Sequence, residues 1–474
     1  MNKNFHRKLY LLTISVIIVL LVPNVFRQGL FMDGLQYACV SKNFANGKGS
    51  FWFPYISQSW WYYDNWFLEH PPLFYFLESF FFKIFGAVFY TEKLFCLTLA
   101  FLNAFIINSI WSITAKKFNF DLKSGWLAIL FWIIIPINFW AYQNNAIETL
   151  VTTFVLLAIL FSLNALFNNK YSVVYLILAG IAIFLATLSK GIPGLFPLSI
   201  IPLYFLFFKS QSIYKTSLYF LLVLSIPILI YSCLILFVPA AKESLLFYWK
   251  YRLLHRIANP PEGEYRLFTL VGLFQELIPL FVVGIIIYLG KRKSTWSINN
   301  NNKVFWFFIC VGLSGVLPLM VTLVQKKFYF VPALPLFAIA LTSLLSIRIQ
   351  SFLDKLKENK STSKFIFVMS LTIIIGTLLF SWLNFGGYCR DELAQREVNS
   401  MGKMISNETK VSVESKSFYE DWSLQFYLLR NFDVSIEPLD KPRKYFITTT
   451  TIPDTTVWTQ IKLPTKKYSL YKLK

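Results

Sequence analysis

"MNKNFHRKLYLLTISVIIVLLVPNVF", residues 1–26, sets a short basic head before an apolar run that lasts to Pro23. A run of this kind is long enough to enter and cross a hydrocarbon core about 30 Å thick. Secretory leaders open the same way, but no small-x-small cleavage site follows here and other apolar runs come later. The segment therefore reads as an uncleaved first transmembrane helix, with its basic head on the inner side.

The rest of the chain repeats the pattern. Candidate spans lie at 9–26, 93–115, 124–140, 147–167, 172–189, 192–208, 216–238, 268–290, 304–324, 328–347 and 364–384, about eleven in all. The composition agrees: of 474 residues 56% are hydrophobic and only 15% charged, where a soluble chain carries about 25% charged. The expected fold class is an all-α polytopic membrane protein. Net charge is +21, but the cations gather in short loops and no basic domain stands free of the membrane. Anionic membrane lipids and phosphate are the implied partners, and nucleic acid is not.

Loop charge assigns the sides. "AKKFNFDLK" (115–123), "NNKYS" (168–172), "FKSQSIYK" (208–215), "KRKSTWSINNNNK" (291–303) and "IRIQSFLDKLKENKSTSK" (347–364) are rich in Lys and Arg and belong inside with the N-terminus. That leaves residues 27–92 as one long external loop, and loops of such length are usually functional. A second external loop covers 239–267, and short external turns hold "AYQNNAIE", "LSKGIPG" and "VQKKFYF". Within the first loop, "FYFLESFFFKIFG" (74–86) is too short to cross and carries Glu78 and Lys83, so it reads as a helix along the interface or packed into the bundle. Residues 1–384 then form the transmembrane domain. Residues 385–474 form a small external α/β domain, with strand-like "VSVES", "KYFITTTT" and "YSLYKLK" around a helical "SFYEDWSLQFYLLRN".

The hard-to-place polar residues fall on that external face. Asp33, in "RQGLFMDGLQYACVSKNF", is a carboxylate near the membrane plane, costly unless paired, hydrated or used. It reads either as a functional acid or as the N-cap of the helix that follows. "WFLEHPPL" (66–73) sets Glu69 and His70 against a Pro-Pro pair that restricts the backbone. Glu148 opens a helix, where the macrodipole favours a carboxylate in any case. Lys190, Lys326, Lys327, Arg252 and Arg256 are external cations, each readable as a snorkelling side chain or as a phosphate ligand. The aromatic "FWFPYISQSWWYYDNW" (51–66) suits an interfacial belt or a platform for a sugar or prenyl chain. The five cysteines show no metal spacing, and a Cys39–Cys389 disulfide requires both to face an oxidising compartment.

In order along residues 9–345, the acid after the first span with its following "YA", then "LEHPPLFYFLESFFFKIFG", "NNAIETL", "LSKGIPGLFPL" and "KKFYFVPALPLFAI", resemble the motifs of GT-C glycosyltransferases. The likeness is to the protein mannosyltransferase and lipid A aminoarabinose transferase relatives. It implies a bacterial inner-membrane enzyme with a periplasmic site and an inverting transfer from a polyprenyl-phosphate sugar to a lipid A or lipopolysaccharide-core, glycan or protein acceptor. It implies Asp33 and Glu148 as the catalytic acids, and Lys190, Lys326, Lys327, Arg256 and His70 on the donor phosphate. It also implies a divalent metal at Glu69 and His255. His70 stands where the aminoarabinose transferases have a lysine, and Gly34 where the family often has a second acid, which sets lipid A specificity apart from the rest of the likeness. A glycan ligase or polymerase and a lipid-linked sugar flippase are the rival functions for such a chain.

Overall fold

The computed structural model describes residues 3–60, 63–254, 267–289, 298–321, 325–357, 360–440, 443–450 and 452–474. The chain forms two compact units, Met1–Pro23 with Cys96–Leu383, and Asn24–Phe95 with Asn384–Lys474. The long loop at 27–92 and the C-terminal stretch thus share one unit.

The first unit is helical. Among the described residues eight helices are long and apolar enough to cross a membrane, or nine if a bent pair counts as one span. Each of the eleven expected spans coincides with helical structure, but not all as full crossings. The expected span at 124–140 is the bent pair, Leu122–Ile133 and Pro136–Gln143, which turn by 76°. Pro136 occupies the first helical position after Ile135 in an extended conformation, because a residue before proline is driven out of the helical region. The two other differences are short apolar helices, Ile192–Phe208 and Leu334–Ser346. The chain is a multi-pass membrane protein. Helices Ile213–Phe237 and Ser361–Leu383 are mostly unburied within the protein, with Phe237, Trp382 and Leu383 among their exposed apolar side chains.

The second unit combines helices Met32–Ala45 and Leu73–Phe85 with the C-terminal stretch. The "FYFLESFFFKIFG" segment is helical as expected. Pro72 caps its start and Gly86, at φ +74°, ends it. The C-terminal stretch has helix Glu392–Ile405 and five strands: β1 Lys410–Val413, β2 Ser435–Pro438, β3 Tyr445–Thr448, β4 Trp458–Ile461 and β5 Ser469–Leu473. Their order is β2-β1-β3-β5-β4. β1 runs parallel to β2 and β3, and β5 antiparallel to β3 and β4. The parallel β1–β2 pair requires a crossover. That crossover is the expected helical run, broken by Asp421 into Ser415–Glu420 and Trp422–Phe432. Asp421 caps the second piece by accepting the Leu424 N–H. Val411, Val413, Ile436, Phe446, Ile447 and Leu470 are buried in the sheet.

Candidate active site

In the first unit, helix Glu148–Phe167 and its successor Ser172–Lys190 run as a hairpin. This puts the first residue of one beside the last residue of the other. Glu148 and Lys190 form a buried ion pair there, each at the helix end whose dipole favours its charge. Gly191 follows at φ +89°, and a Cβ there would collide with the Tyr248 hydroxyl. That hydroxyl donates to the Lys190 carbonyl at 3.1 Å. The Lys190 ammonium lies over the Tyr329 ring, 4.3 Å from its centroid, and 5.7 Å from that of Phe328. A cation held over ring faces is attracted to their π-electrons.

The turn Lys327–Phe330 that supplies these rings is itself fastened. Phe328 stacks on Trp140, with centroids 5.7 Å apart and an 18° interplanar angle. Lys327 donates to Gln275 at 2.8 Å and to Glu276 at 3.3 Å. The other Glu276 oxygen accepts the Ile137 N–H at 2.9 Å, one of the orphan donors at the start of helix Pro136–Gln143. Lys326 is exposed just before the turn. "NNAIETL", "LSKG" and "KKFYF", far apart in sequence, therefore meet in one cluster. Sequence reasoning passes over Glu276 and Tyr248. The signal for Glu276 was an acid inside an apolar span, which is rarely idle.

In the second unit, helix Met32–Ala45 begins after Phe31, and Asp33 lies in its first turn rather than at its cap. The N-cap alternative for Asp33 is thereby corrected. Burial increases from Gly34 onward, whereas Asp33 stays half-exposed. One helical turn on, the Tyr37 ring meets the His70 ring edge-on at 6.0 Å. It also packs against Phe67, Phe74 and Tyr75. Because i and i+4 share a helix face, the "EHPP" turn packs on the face that carries Asp33. Glu69 is buried and His70 half-buried. The strand-like contacts Phe67 N–H to Pro54 O and Ile56 N–H to Asn65 O, 2.8 and 2.9 Å, fold the aromatic stretch before it into a hairpin.

His255 and Arg256 lie outside the described residues. Among the described residues no three His, Cys, Asp or Glu side chains cluster as a metal ion requires, and zinc takes three or four such ligands. The expected metal site pairs Glu69 with His255, and its second ligand thus lies outside the described residues. Arg252 sits half-buried in the turn Tyr248–Leu254. Cys39 and Cys389 are both free thiols, so the conditional Cys39–Cys389 disulfide is not formed. Cys39 is buried with its thiol toward the Phe426 carbonyl at 3.6 Å, and burial pushes its pKa up to about 12.

Residues 69–237 match the family model described as dolichyl-phosphate-mannose-protein mannosyltransferase. ArnT from Cupriavidus metallidurans, solved bound to undecaprenyl phosphate, superposes with a TM-score of 0.62 at 13% identity over 97% of each chain. Its apo form gives 0.64 at 12% identity, again over 97% of each chain. The archaeal oligosaccharyltransferase AglB from Archaeoglobus fulgidus, solved with an inhibitory peptide and a dolichol-phosphate, gives 0.51 at 14% identity. That match covers 93% of this chain and 69% of AglB. No curated relative matches the sequence. The chain has the GT-C glycosyltransferase fold. Its resemblance to the protein mannosyltransferase and ArnT-like proteins, expected from the motifs, is borne out.

Proposed function

We propose that the protein is an inverting glycosyltransferase of the bacterial inner membrane, working on the periplasmic face. It takes a sugar from a polyprenyl-phosphate donor and delivers it to an envelope acceptor: lipid A or lipopolysaccharide core, another glycan, or protein. The observation that carries this reading is the meeting of Glu148, Lys190 and Tyr329 from three separate motifs in a chain whose residues 69–237 match a mannosyltransferase family model.

In the reaction, an acceptor hydroxyl or amine attacks the anomeric carbon from the side opposite the phosphate. Its lone pair forms the new glycosidic bond and the C–O bond to phosphate breaks. The electron pair leaves on the phosphate oxygen, giving polyprenyl phosphate. Asp33 orients the acceptor and receives its proton. Lys190, with Lys326, Lys327, His70 and Arg256, takes up charge on the departing phosphate. Glu148 holds the Lys190 ammonium in place. The tyrosine face beneath that ammonium adds attraction without adding negative charge, so the cation keeps its pull on an anion.

The test is transfer of labelled sugar from a synthetic polyprenyl monophosphate donor by the purified protein in detergent, followed by mass spectrometry of envelope glycolipids, glycans and proteins from cells lacking the gene. Transfer that Asp33→Asn abolishes is the expected result. A wild-type protein that binds or moves the lipid yet transfers nothing from any such donor would overturn the reading.

A further inference from the structure

Helix Met32–Ala45, which carries Asp33, is held at both ends by the C-terminal stretch. At its entry, residues 26–28 pair with 386–389. Gln28 N–H donates to Gly387 O at 2.7 Å, Cys389 N–H to Gln28 O at 2.8 Å, and Gly386 N–H to Phe26 O at 2.9 Å. The Arg27 guanidinium donates to Tyr388 O at 2.6 Å, and the Gln28 amide to Gly386 O at 2.7 Å. Gly29, at φ +108°, lets the Arg390 backbone approach so closely that any Cβ would strike it. The Arg390 guanidinium then covers the ring of Phe31, 5.4 Å from its centroid, the residue that caps the helix two positions before Asp33. From helix Trp422–Phe432, the Tyr427 hydroxyl reaches Asp391, the neighbour of Arg390, at 3.4 Å.

The far end is fixed as firmly. Lys42, buried in the last turn, donates to the Leu429 and Arg430 carbonyls at 3.2 and 2.8 Å and pairs with Asp433 at 3.0 Å. These are last-turn carbonyls of helix Trp422–Phe432, and Leu429 O also accepts the N–H of the C-cap residue Asp433 at 3.2 Å. Desolvation by burial pulls the Lys42 pKa down, so the charged form depends on these acceptors and on Asp433. Arg430 in turn donates to Ala87 O, Val88 O and Glu92, each at 2.9 Å, fixing the end of the long loop at 27–92.

We propose that the C-terminal stretch is the device that positions Asp33, and that Lys42, Tyr427 and Arg390 are positioning residues for that carboxylate. None of them has to touch substrate. The proposal rests on the catalytic assignment of Asp33 above. A separate acceptor-binding module would not need to hold both ends of one loop helix with buried cations and backbone pairing.

The test uses the full-length protein with Lys42→Met and Tyr427→Phe, singly and together. Turnover should fall about tenfold to a hundredfold while the donor KM and undecaprenyl phosphate affinity stay within about twofold, because displacement of a catalytic group acts on the chemical step. Hydrogen exchange should speed up about tenfold or more at residues 30–45 and stay unchanged in helix Glu148–Phe167. Unchanged exchange at 30–45, or a fall in donor affinity equal to the fall in turnover, would overturn the proposal. If the wild type transfers nothing, the functional reading fails while the exchange measurement still decides the clamp. Lys42→Arg, which keeps donors for the helix carbonyls, should recover most of the turnover.

Discussion

Two buried cations, one in each unit, show how the same chemistry serves different ends. Arg430 spends its donors on two backbone carbonyls and the Glu92 carboxylate, and its guanidinium lies 4.9 Å from the Phe82 ring centroid. Three of its N–H donors go to structural acceptors of its own unit while its buried Nε has none among the described residues, and it acts as a rivet. Among the described residues Lys190 has one hydrogen-bonded carboxylate, Glu148, and faces the rings of Tyr329 and Phe328. An ammonium has three donors, and aromatic faces satisfy its charge without using them up. A cation so placed keeps the capacity to take a phosphate oxygen. On the proposed function, the kind of partner separates the two cations where burial alone does not: backbone carbonyls and a carboxylate around Arg430, one carboxylate and ring faces around Lys190.

The largest effect is expected at the proposed base. Asp33→Asn should lower turnover about 10²- to 10⁴-fold, the range for loss of a general base, with donor binding intact. A loss of binding instead would move Asp33 out of the acceptor role. Next come the ion pairs themselves. Arg430→Met should cost about 3–5 kcal/mol of stability in chemical denaturation, since it leaves Glu92 buried and uncompensated. Removing both charges of a buried pair is often near neutral for stability. Accordingly Glu148→Gln with Lys190→Met should fold normally yet bind undecaprenyl phosphate poorly. Arg430→Met with Glu92→Leu should bind it as the wild type does.

A smaller effect is expected at Glu276. Glu276→Gln keeps an acceptor for the Ile137 N–H but gives up the charge that holds Lys327. Charge-assisted hydrogen bonds contribute about 1.5–3 kcal/mol, so about a tenfold drop in turnover should follow, with partial recovery in a variant that exchanges the two charges. No change would show that the ring-bearing turn stands without this anchor.

The mildest effect belongs to Asp421. Burial alone would push its carboxyl up, but hydrogen bonds from Lys467, Ser423 and the Leu424 N–H outweigh it and hold the pKa below 3.8. A carboxyl with a depressed folded pKa contributes stability that is present above 3.8 and lost as pH falls through the folded value. Asp421→Ala should cost about 1 kcal/mol at neutral pH, the usual loss of an N-cap, and should flatten the acid limb of the melting profile. An unaltered acid limb would assign that sensitivity elsewhere.

The sequence made the membrane fold legible because apolar length and loop charge are local signals. The bend at Pro136 was legible too, though reading 124–140 as one straight span overlooked it. In the C-terminal stretch, β1, β3 and β5 alternate strongly enough to read, while β2, β4 and helix Glu392–Ile405 went unread. "SIEP" and "WTQI" are short, and their strand character comes from their neighbours in the sheet. The Glu148 and Lys190 candidates were visible as motif residues, but not their pairing, nor Tyr248 beneath Gly191. Least legible was the hold on Asp33: Lys42 meets Asp433 and Arg430 meets Glu92 across hundreds of residues, and no spacing in the chain announces such contacts.

The affinity of three purified proteins in nanodiscs, wild type and two variants, for undecaprenyl phosphate decides whether Lys190 holds the donor phosphate. Glu148→Gln with Lys190→Met should weaken binding about tenfold or more, a change of about 1.4 kcal/mol, while Lys42→Met should stay within about twofold of wild type. Equal weakening in both variants, or weakening in Lys42→Met alone, would contradict that assignment.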